Sequence, residues 1–321
     1  MTLTQLMYIV AVDKHKNFGV AAQNCHVTQP TLSMQIQKLE DQIGIILFDR
    51  SEQPIKTTKA GNILIKQAKV ILRESQKFNE LVSEDQDETK GEIRIGVIPT
   101  LAPYLLPLFL KKFMTANPNL KVIVEELQTS QILKKIDDAD LDIGLLVTPV
   151  DHEGLNTVPL FYEPFLAYVS ENSPLAKLKK IEQKELNSND LWLLTDGHCF
   201  REQSLLLCQN RKKVSDLNKN LLFESSSLET LKKMVDQESG FTLLPLLATT
   251  DIKNSNRLKE FNGPSPSREV SLVHNQYFRK DKIKNSLVTT IQKSMPSAIP
   301  LTITKNVDVL DLPAGKDVNK L

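Results

Sequence analysis

A chain of 321 residues, 40% hydrophobic and 25% charged, is too long for one small core and has the composition of a globular protein built from two or three compact units. Its net charge of +1, and the balance of six basic against five acidic residues in positions 1–60, exclude any argument for nucleic-acid binding from bulk electrostatics. Three cysteines are too few for a disulfide framework, and no apolar run approaches the ~18 residues of a membrane span.

The apolar opening Leu6–Val12 follows no basic leader and runs into Asp13 and Lys14, so a cytoplasmic chain with no membrane partner is expected. From Thr2 to about Ile46 the apolar residues recur at helical spacing with short breaks. Inside this stretch Phe18–Glu40 reads FGVAAQNCHVTQPTLSMQIQKLE. Ala21 and Ala22 let two helices pack closely, with Val27 in the turn between them and Cys25 expected in their core. Thr28 suits an N-cap, and Pro30 falls in the first helical turn, where its missing N–H costs nothing. Leu32, Ile36 and Leu39 stand at i, i+4 and i+7 and give the second helix one buried stripe. Its other face offers Gln29, Thr31, Ser33, Gln35 and Lys38, side chains of the type that read base edges and hold phosphates. An amphipathic pair inside an ordinary core would share part of this pattern. The coincidence of cap, proline and polar face favours a DNA-reading helix-turn-helix, as does a wing running from Leu47–Arg50 to Thr57–Gly61. Pro30 and Arg50 complete the expected DNA-binding set.

A second helix is predicted from Thr58 to about Ser83, with apolar steps Ala60, Leu64, Ala68, Ile71, Phe78 and Val82, before a charged hinge at 84–91. Beyond Gly91 the texture becomes strand–helix alternation. Strands are predicted at Ile93–Ile98, Lys121–Leu127, Asp142–Val147 and Phe165–Val169, and later at Leu191–Leu194, Phe241–Leu244 and Val270–Val273. Helices are predicted near Leu101–Asn117, Ser130–Ala139, Leu228–Gln237 and Lys282–Met295. The alternation implies α/β units on a largely parallel sheet, arranged as two lobes around a cleft. Residues 301–321 show no period and are expected to be frayed.

One segment of the second half concentrates reactive chemistry: Thr195-Asp196-Gly197-His198-Cys199-Phe200-Arg201-Glu202-Gln203, with Cys208 soon after. Asp196-Gly197 is a turn signal that places Cys199 at a helix start. A helix N-terminus beside His198 and Arg201 favours the thiolate, the form that reacts with peroxide. Two small buried hydrophobes would be the plainer account of such a pair. A metal site is disfavoured because His198, Cys199 and Cys208 lack standard zinc spacing, and no cofactor is expected. Thr100 and Thr129 each follow a strand and precede a helix, so both should face the cleft from helix N-termini. His198 and Gln203 are near Cys199 in sequence, and Arg268 brings positive charge from a returning strand.

The stretches MTLTQLMYIVAVDKHKNFGVAA, TQPTLSMQIQKLEDQIGIILFDR and TTKAG resemble the LysR-type regulators, and the similarity continues to about residue 295. The resemblance implies an N-terminal all-α winged helix-turn-helix over 1–60 and a linker helix and hinge over 61–90. It further implies a two-lobed α/β effector domain like periplasmic binding proteins, with lobe I at 91–162 and 267–300 and lobe II at 163–266, followed by a tail at 301–321. It also implies a homotetramer formed as a dimer of dimers, promoter DNA as partner, and contact with RNA polymerase. DGHCFREQ with the later Cys208 is similar to the sensor loop of the peroxide-responsive members of that family, as are IPTLAPYLLP, ELQTSQ, SSLETLKKMV and SGFTLLP. That similarity implies hydrogen peroxide as signal, Cys199 as the oxidised residue, and Cys208 as its resolving partner in a reversible disulfide. Glutaredoxin- or thioredoxin-type proteins would be the reductants, and Thr100, Thr129, His198, Gln203 and Arg268 the helpers. The alternative is a LysR-type regulator that binds an organic acid in the cleft with incidental cysteines. An enzyme such as a thiol peroxidase has no use for residues 1–60, so no catalytic turnover is expected.

Overall fold

The computed structural model describes residues 1–82, 90–187, 190–195, 199–208 and 225–310. Most of the expected hinge at 84–91, the Asp196-Gly197 turn, His198 and the end of the tail lie outside the described residues. The chain divides into two units, Met1–Asp87 and Glu88–Leu321.

In the first unit α1 (Leu3–His15) starts at Thr2, whose hydroxyl accepts from the Gln5 amide while Gln5 caps back onto the Thr2 amide. Next come α2 (Phe18–Asn24) and α3 (Gln29–Ile43), the latter capped by Thr28 with Pro30 in its first turn. A Thr28→Ala change removes a cap of this kind, worth about 1 kcal/mol. Gly44 ends α3 at φ 69°, a left-handed position that glycine occupies without strain. The wing is an antiparallel pair of short strands, β1 (Phe48–Asp49) and β2 (Lys56–Thr57), so the unit is not purely helical.

α4 (Lys59–Val82) follows, and a side chain at Gly61 would collide with the Leu47 carbonyl oxygen. Leu6, Ile9, Val12, Ala21, Leu32, Ile36 and Phe48 form one core with Ile65 and Ala68 of α4. Leu64 and Ile71 also pack against this core, so the first half of the apolar stripe foreseen on α4 serves its own unit. Ile63, Val70 and Phe78 remain exposed.

The second unit begins with β3 (Gly91–Val97), α5 (Ala102–Ala116), β4 (Leu120–Glu126), α6 (Thr129–Asp137) and β5 (Ile143–Thr148). Its remaining elements are β6 (Leu155–Val169), β7 (Lys180–Ile181), α7 (Cys199–Leu207), α8 (Leu228–Gln237), β8 (Phe241–Pro245), β9 (Leu258–Phe261), β10 (Ser265–Asn275), α9 (Asp281–Ser294) and β11 (Val307–Val309). The strand order β4-β3-β5-β10-β6-β9-β7 makes one sheet, with β8 also on β6 and β11 on β10.

This sheet is mixed, not largely parallel: β3, β4 and β5 are parallel neighbours, but β10 is antiparallel to both β5 and β6. The reason is β6, whose first ten residues contain Asn156, Pro159 and Pro164 and carry no clean alternation. Two cores flank it. One packs β3–β5 with Phe109, Phe113, Leu272 and Leu287; the other packs Phe165, Val169, Phe200, Leu231 and Leu243. β6 and β10 run between these lobes. Leu191–Leu194 forms no strand; only Leu191 bridges to Phe241. Its leucines are buried in the second core without a ladder, because an apolar run specifies burial and not pairing.

The described part of the tail, 301–310, also differs from expectation. Just before it, Ile299 is buried in the first core, and the Pro300 carbonyl accepts from the Tyr162 amide at 2.8 Å. Val307–Val309 then pairs with Ser265–Ser267, the Leu310 amide donates to Ser267 at 2.9 Å, and Leu310 packs on the second core. Its backbone therefore finds partners on an otherwise open edge of β10. A chain ending at Lys305 should be less stable than one ending at Leu310 by about 1–3 kcal/mol, since each lost hydrogen bond contributes about 0.5–1.5 kcal/mol. Urea melts of the two chains, with hydrogen exchange read at residues 265–267, check this.

Candidate functional site

The thiol site is assembled from three helix starts and the two long strands. α7 opens at Cys199, which is half-buried, and Thr129 opens α6 with its Oγ1 3.5 Å from Cys199 Sγ. Gln203 stands one helical turn beyond Cys199 and so on the same face of α7. It is fully buried, and among the described residues neither Oε1 nor Nε2 of its amide has a hydrogen-bond partner. An unsatisfied buried polar group costs about 1–3 kcal/mol, which a small molecule with both donor and acceptor atoms would offset. Arg201 donates to the Leu194 carbonyl at 2.7 Å and braces the entry to α7.

Thr100 precedes α5 and is buried, with Arg268 as its hydrogen-bond partner. Arg268 Nη1 donates to Thr100 Oγ1 at 3.0 Å and Nη2 to the Thr100 carbonyl at 3.1 Å. The charge of Arg268 is matched by Glu163, a residue that sequence reading passed over. Glu163 Oε2 accepts from Nε at 2.9 Å and Nη2 at 2.8 Å, and its Oε1 accepts from the Leu247 amide at 2.8 Å. Both side chains are fully buried, so removing one partner would leave a lone charge at a cost of about 3–5 kcal/mol. The guanidinium also lies 5.7 Å from the centre of the Phe200 ring, which rests against Phe165. Arg268 thus supplies no free charge to the cleft. It ties Thr100 to the residue next to Cys199.

Cys208 stands just past the end of α7, buried in the second core, and that burial pushes its thiol up to about 12. Across the lobes the Tyr104 hydroxyl donates to Glu229, which also pairs with Lys232. Burial and the Glu229 carboxylate push that phenol up, so it stays a donor. Beside this bridge is a cavity of about 410 Å³ lined by Tyr104, Gln128, Gln131, Ser227, Glu126 and Glu229.

In the first unit α3 exposes Gln29, Pro30, Thr31 and Lys38, with Ser33 and Gln35 partly covered. Thr31 shares a hydroxyl contact of 2.8 Å with Thr28, and Gln35 accepts from Gln5 at 3.3 Å. Arg50 donates to Ser33 at 3.3 Å and to the buried Glu40 at 2.8 Å, with Phe18 beneath it. Glu40 in turn accepts from the Leu47 amide, so this carboxylate fixes the wing to α3. Met34 is exposed on the same face, an apolar signal the polar pattern concealed.

Residues 3–62 match the family model for the bacterial regulatory helix-turn-helix protein, lysR family, and residues 86–292 match the LysR substrate binding domain. The chain belongs to the LysR family. It is 38% identical over 276 residues to the hydrogen peroxide-inducible genes activator of Haemophilus influenzae, covering 85% of this chain and 90% of that protein. A full-length OxyR variant from Pseudomonas aeruginosa superposes with a TM-score of 0.76 at 32% identity, covering 91% of this chain and 98% of that one. A hydrogen-peroxide-bound cysteine variant of OxyR from Corynebacterium glutamicum gives 0.60 at 28% identity, covering 96% and 98%. In LysR terms the first unit is the winged helix-turn-helix with its linker helix, and the second is the two-lobed, periplasmic-binding-protein-like effector domain. Among the described residues no helix is long and apolar enough to cross a membrane.

The burial of Cys208 has a direct consequence for pH dependence. Its folded value of about 12 lies above the ordinary unfolded thiol value, near 8.5. The neutral thiol's contribution to stability is therefore intact below about pH 8.5 and lost as pH rises toward 12. Cys208→Ala should flatten the decline in urea midpoint between about pH 9 and 11 relative to the parent chain. At pH 8, iodoacetamide should label Cys199 in the folded reduced protein, and Cys208 only after denaturant is added.

Proposed function

We propose that this LysR-family chain is a cytoplasmic transcription activator, not an enzyme, that senses hydrogen peroxide through Cys199. The observation that carries the reading is the Thr129 hydroxyl 3.5 Å from Cys199 Sγ at the start of α7. The buried amide of Gln203 one turn further on supports it. A thiolate there attacks one peroxide oxygen, and sulfur becomes a sulfenic acid as hydroxide departs. Thr129, Gln203, Thr100 and His198 bind and orient the peroxide, and Arg268 holds Thr100. Cys208 then attacks the oxidised sulfur, releasing water and closing a disulfide that glutaredoxin- or thioredoxin-type dithiols reopen.

Closure requires a shape change. Nine helical steps separate the two cysteines by ~13 Å, whereas a disulfide needs Cα atoms within about 7 Å. The last turns of α7 must unwind and withdraw Leu207 and Cys208 from the second core. A homotetramer, formed as a dimer of dimers with the exposed Ile63, Val70 and Phe78 of α4 in one contact, would pass this change to promoter DNA and RNA polymerase. The organic-acid alternative finds less support, because the interlobe cavity is lined by Glu126 and Glu229 and by no Lys or Arg among the described residues.

DNA is read by α3, with Gln29, Pro30, Thr31, Ser33, Gln35 and Lys38 on the groove side and Arg50 at the wing. In a Thr31/Ser33/Gln35 triple-alanine variant, specific binding should weaken by about 1–3 kcal/mol per lost base contact. Non-specific binding should persist, because phosphate contacts supply it. Footprints at low and high salt measure both, and an undiminished specific footprint would remove α3 as the reading element. For the sensor, mass spectrometry after a slight excess of hydrogen peroxide should find a Cys199–Cys208 bridge. Cys199→Ser should abolish peroxide-induced transcription while preserving DNA binding, and Cys208→Ser should stop at the sulfenic acid. A full response in the Cys199→Ser strain would replace the thiol sensor with a metabolite ligand.

A further inference from the structure

We infer that Glu163 is a positioning residue for the thiol site, which acts through Arg268 to leave the proton of the Thr100 hydroxyl free to donate to a bound peroxide. The inference rests on the peroxide-sensing reading above. A guanidinium carries only donors, so at the 3.0 Å contact between Arg268 Nη1 and Thr100 Oγ1 the threonine oxygen is the acceptor. A hydroxyl has one proton, and with its oxygen engaged this way that proton is available to another acceptor. Among the described residues Arg268 is the only partner of that hydroxyl. The second contact, Nη2 to the Thr100 carbonyl, fixes the backbone of the same residue and leaves the hydroxyl little freedom to turn around.

Glu163 sets the angle of the guanidinium. Its Oε2 takes both Nε and Nη2, and its Oε1 is anchored by the Leu247 amide. The two residues also face each other directly across β6 and β10. The chemistry needs what this arrangement supplies. As Cys199 attacks, an S–O bond forms and the O–O bond breaks; sulfur loses two electrons and the peroxide gains them. The distal oxygen leaves as hydroxide and takes a proton from solvent to become water. A donor aimed at that oxygen stabilises the charge growing on it. A Thr100 hydroxyl that instead donated into the protein could not.

The test compares two reactions of Cys199 in the reduced full-length chain: with hydrogen peroxide, and with iodoacetamide. Alkylation expels iodide and has no departing oxygen to stabilise. Glu163→Gln and Thr100→Val should each slow the peroxide reaction by at least about tenfold and leave alkylation within about twofold. Because Glu163 acts through Thr100, the double variant should be no slower than Thr100→Val alone. Glu163→Gln with Arg268→Met removes both buried charges and guards against unfolding, and should match Thr100→Val. Equal loss in both reactions, additive loss in the double variant, or an unchanged peroxide rate in Glu163→Gln would overturn the role of Glu163 alone. A wild-type Cys199 that reacts with peroxide no faster than it does in the denatured chain would overturn the sensor reading, and this inference with it.

Discussion

Arg268 and Glu163 face each other across adjacent strands, both fully buried, and each is the other's charge partner. Two charges in such surroundings tolerate no sliding: a slip of β10 past β6 by one residue would put Arg268 on the face of the sheet opposite Glu163 and leave both charges unpaired. Their pairing therefore specifies the register of the two strands that run between the lobes. The same guanidinium holds Thr100 and lies on the ring of Phe200, the neighbour of Cys199. One interaction thus sets the geometry of the crossing strands and the geometry of the thiol site.

The two cysteines occupy opposite regimes around this anchor. Cys199 is half-buried at a helix start beside a threonine hydroxyl, and Cys208 is sealed in an apolar core that holds it as a neutral thiol. Their separation along α7 keeps them apart while the helix persists. On the proposed reading, a disulfide between them would form against the helix hydrogen bonds and the burial of Phe200, Leu207 and Cys208. That competition would give a chemical event at one sulfur the leverage to repack a lobe. The DNA-reading face belongs to a different unit with its own core and its own buried carboxylate, Glu40, joining the wing to α3.

Much of this was legible along the chain. Thr28, Pro30 and the Leu32/Ile36/Leu39 stripe specify α3 because capping and helical periodicity are local properties. Cys199, Gln203 and Cys208 were legible as a group because they fall within ten residues of sequence. Glu163 was not recognised, although a carboxylate in the apolar run LFYEPF was the available signal; its partner lies more than a hundred residues away. Leu191–Leu194 misled because burial and strand pairing share a composition. The pairing of Val307–Val309 was hidden because an edge strand takes its order from the neighbour it pairs with.

The sequence by itself determined the helix-turn-helix, the alternation of strands and helices in the second half, and the placement of Cys199 at a helix start. These depend on spacing within about twenty residues, where backbone geometry converts pattern directly into position. Only the tertiary structure decided that Arg268 is neutralised by Glu163 and holds Thr100. It alone set the antiparallel register of β6 and β10, buried Cys208, and ordered Val307–Val309 on β10. Each of these is a contact between residues distant in sequence, whose partner is selected by packing and by the cost of leaving a charge, a thiolate or a backbone amide without one.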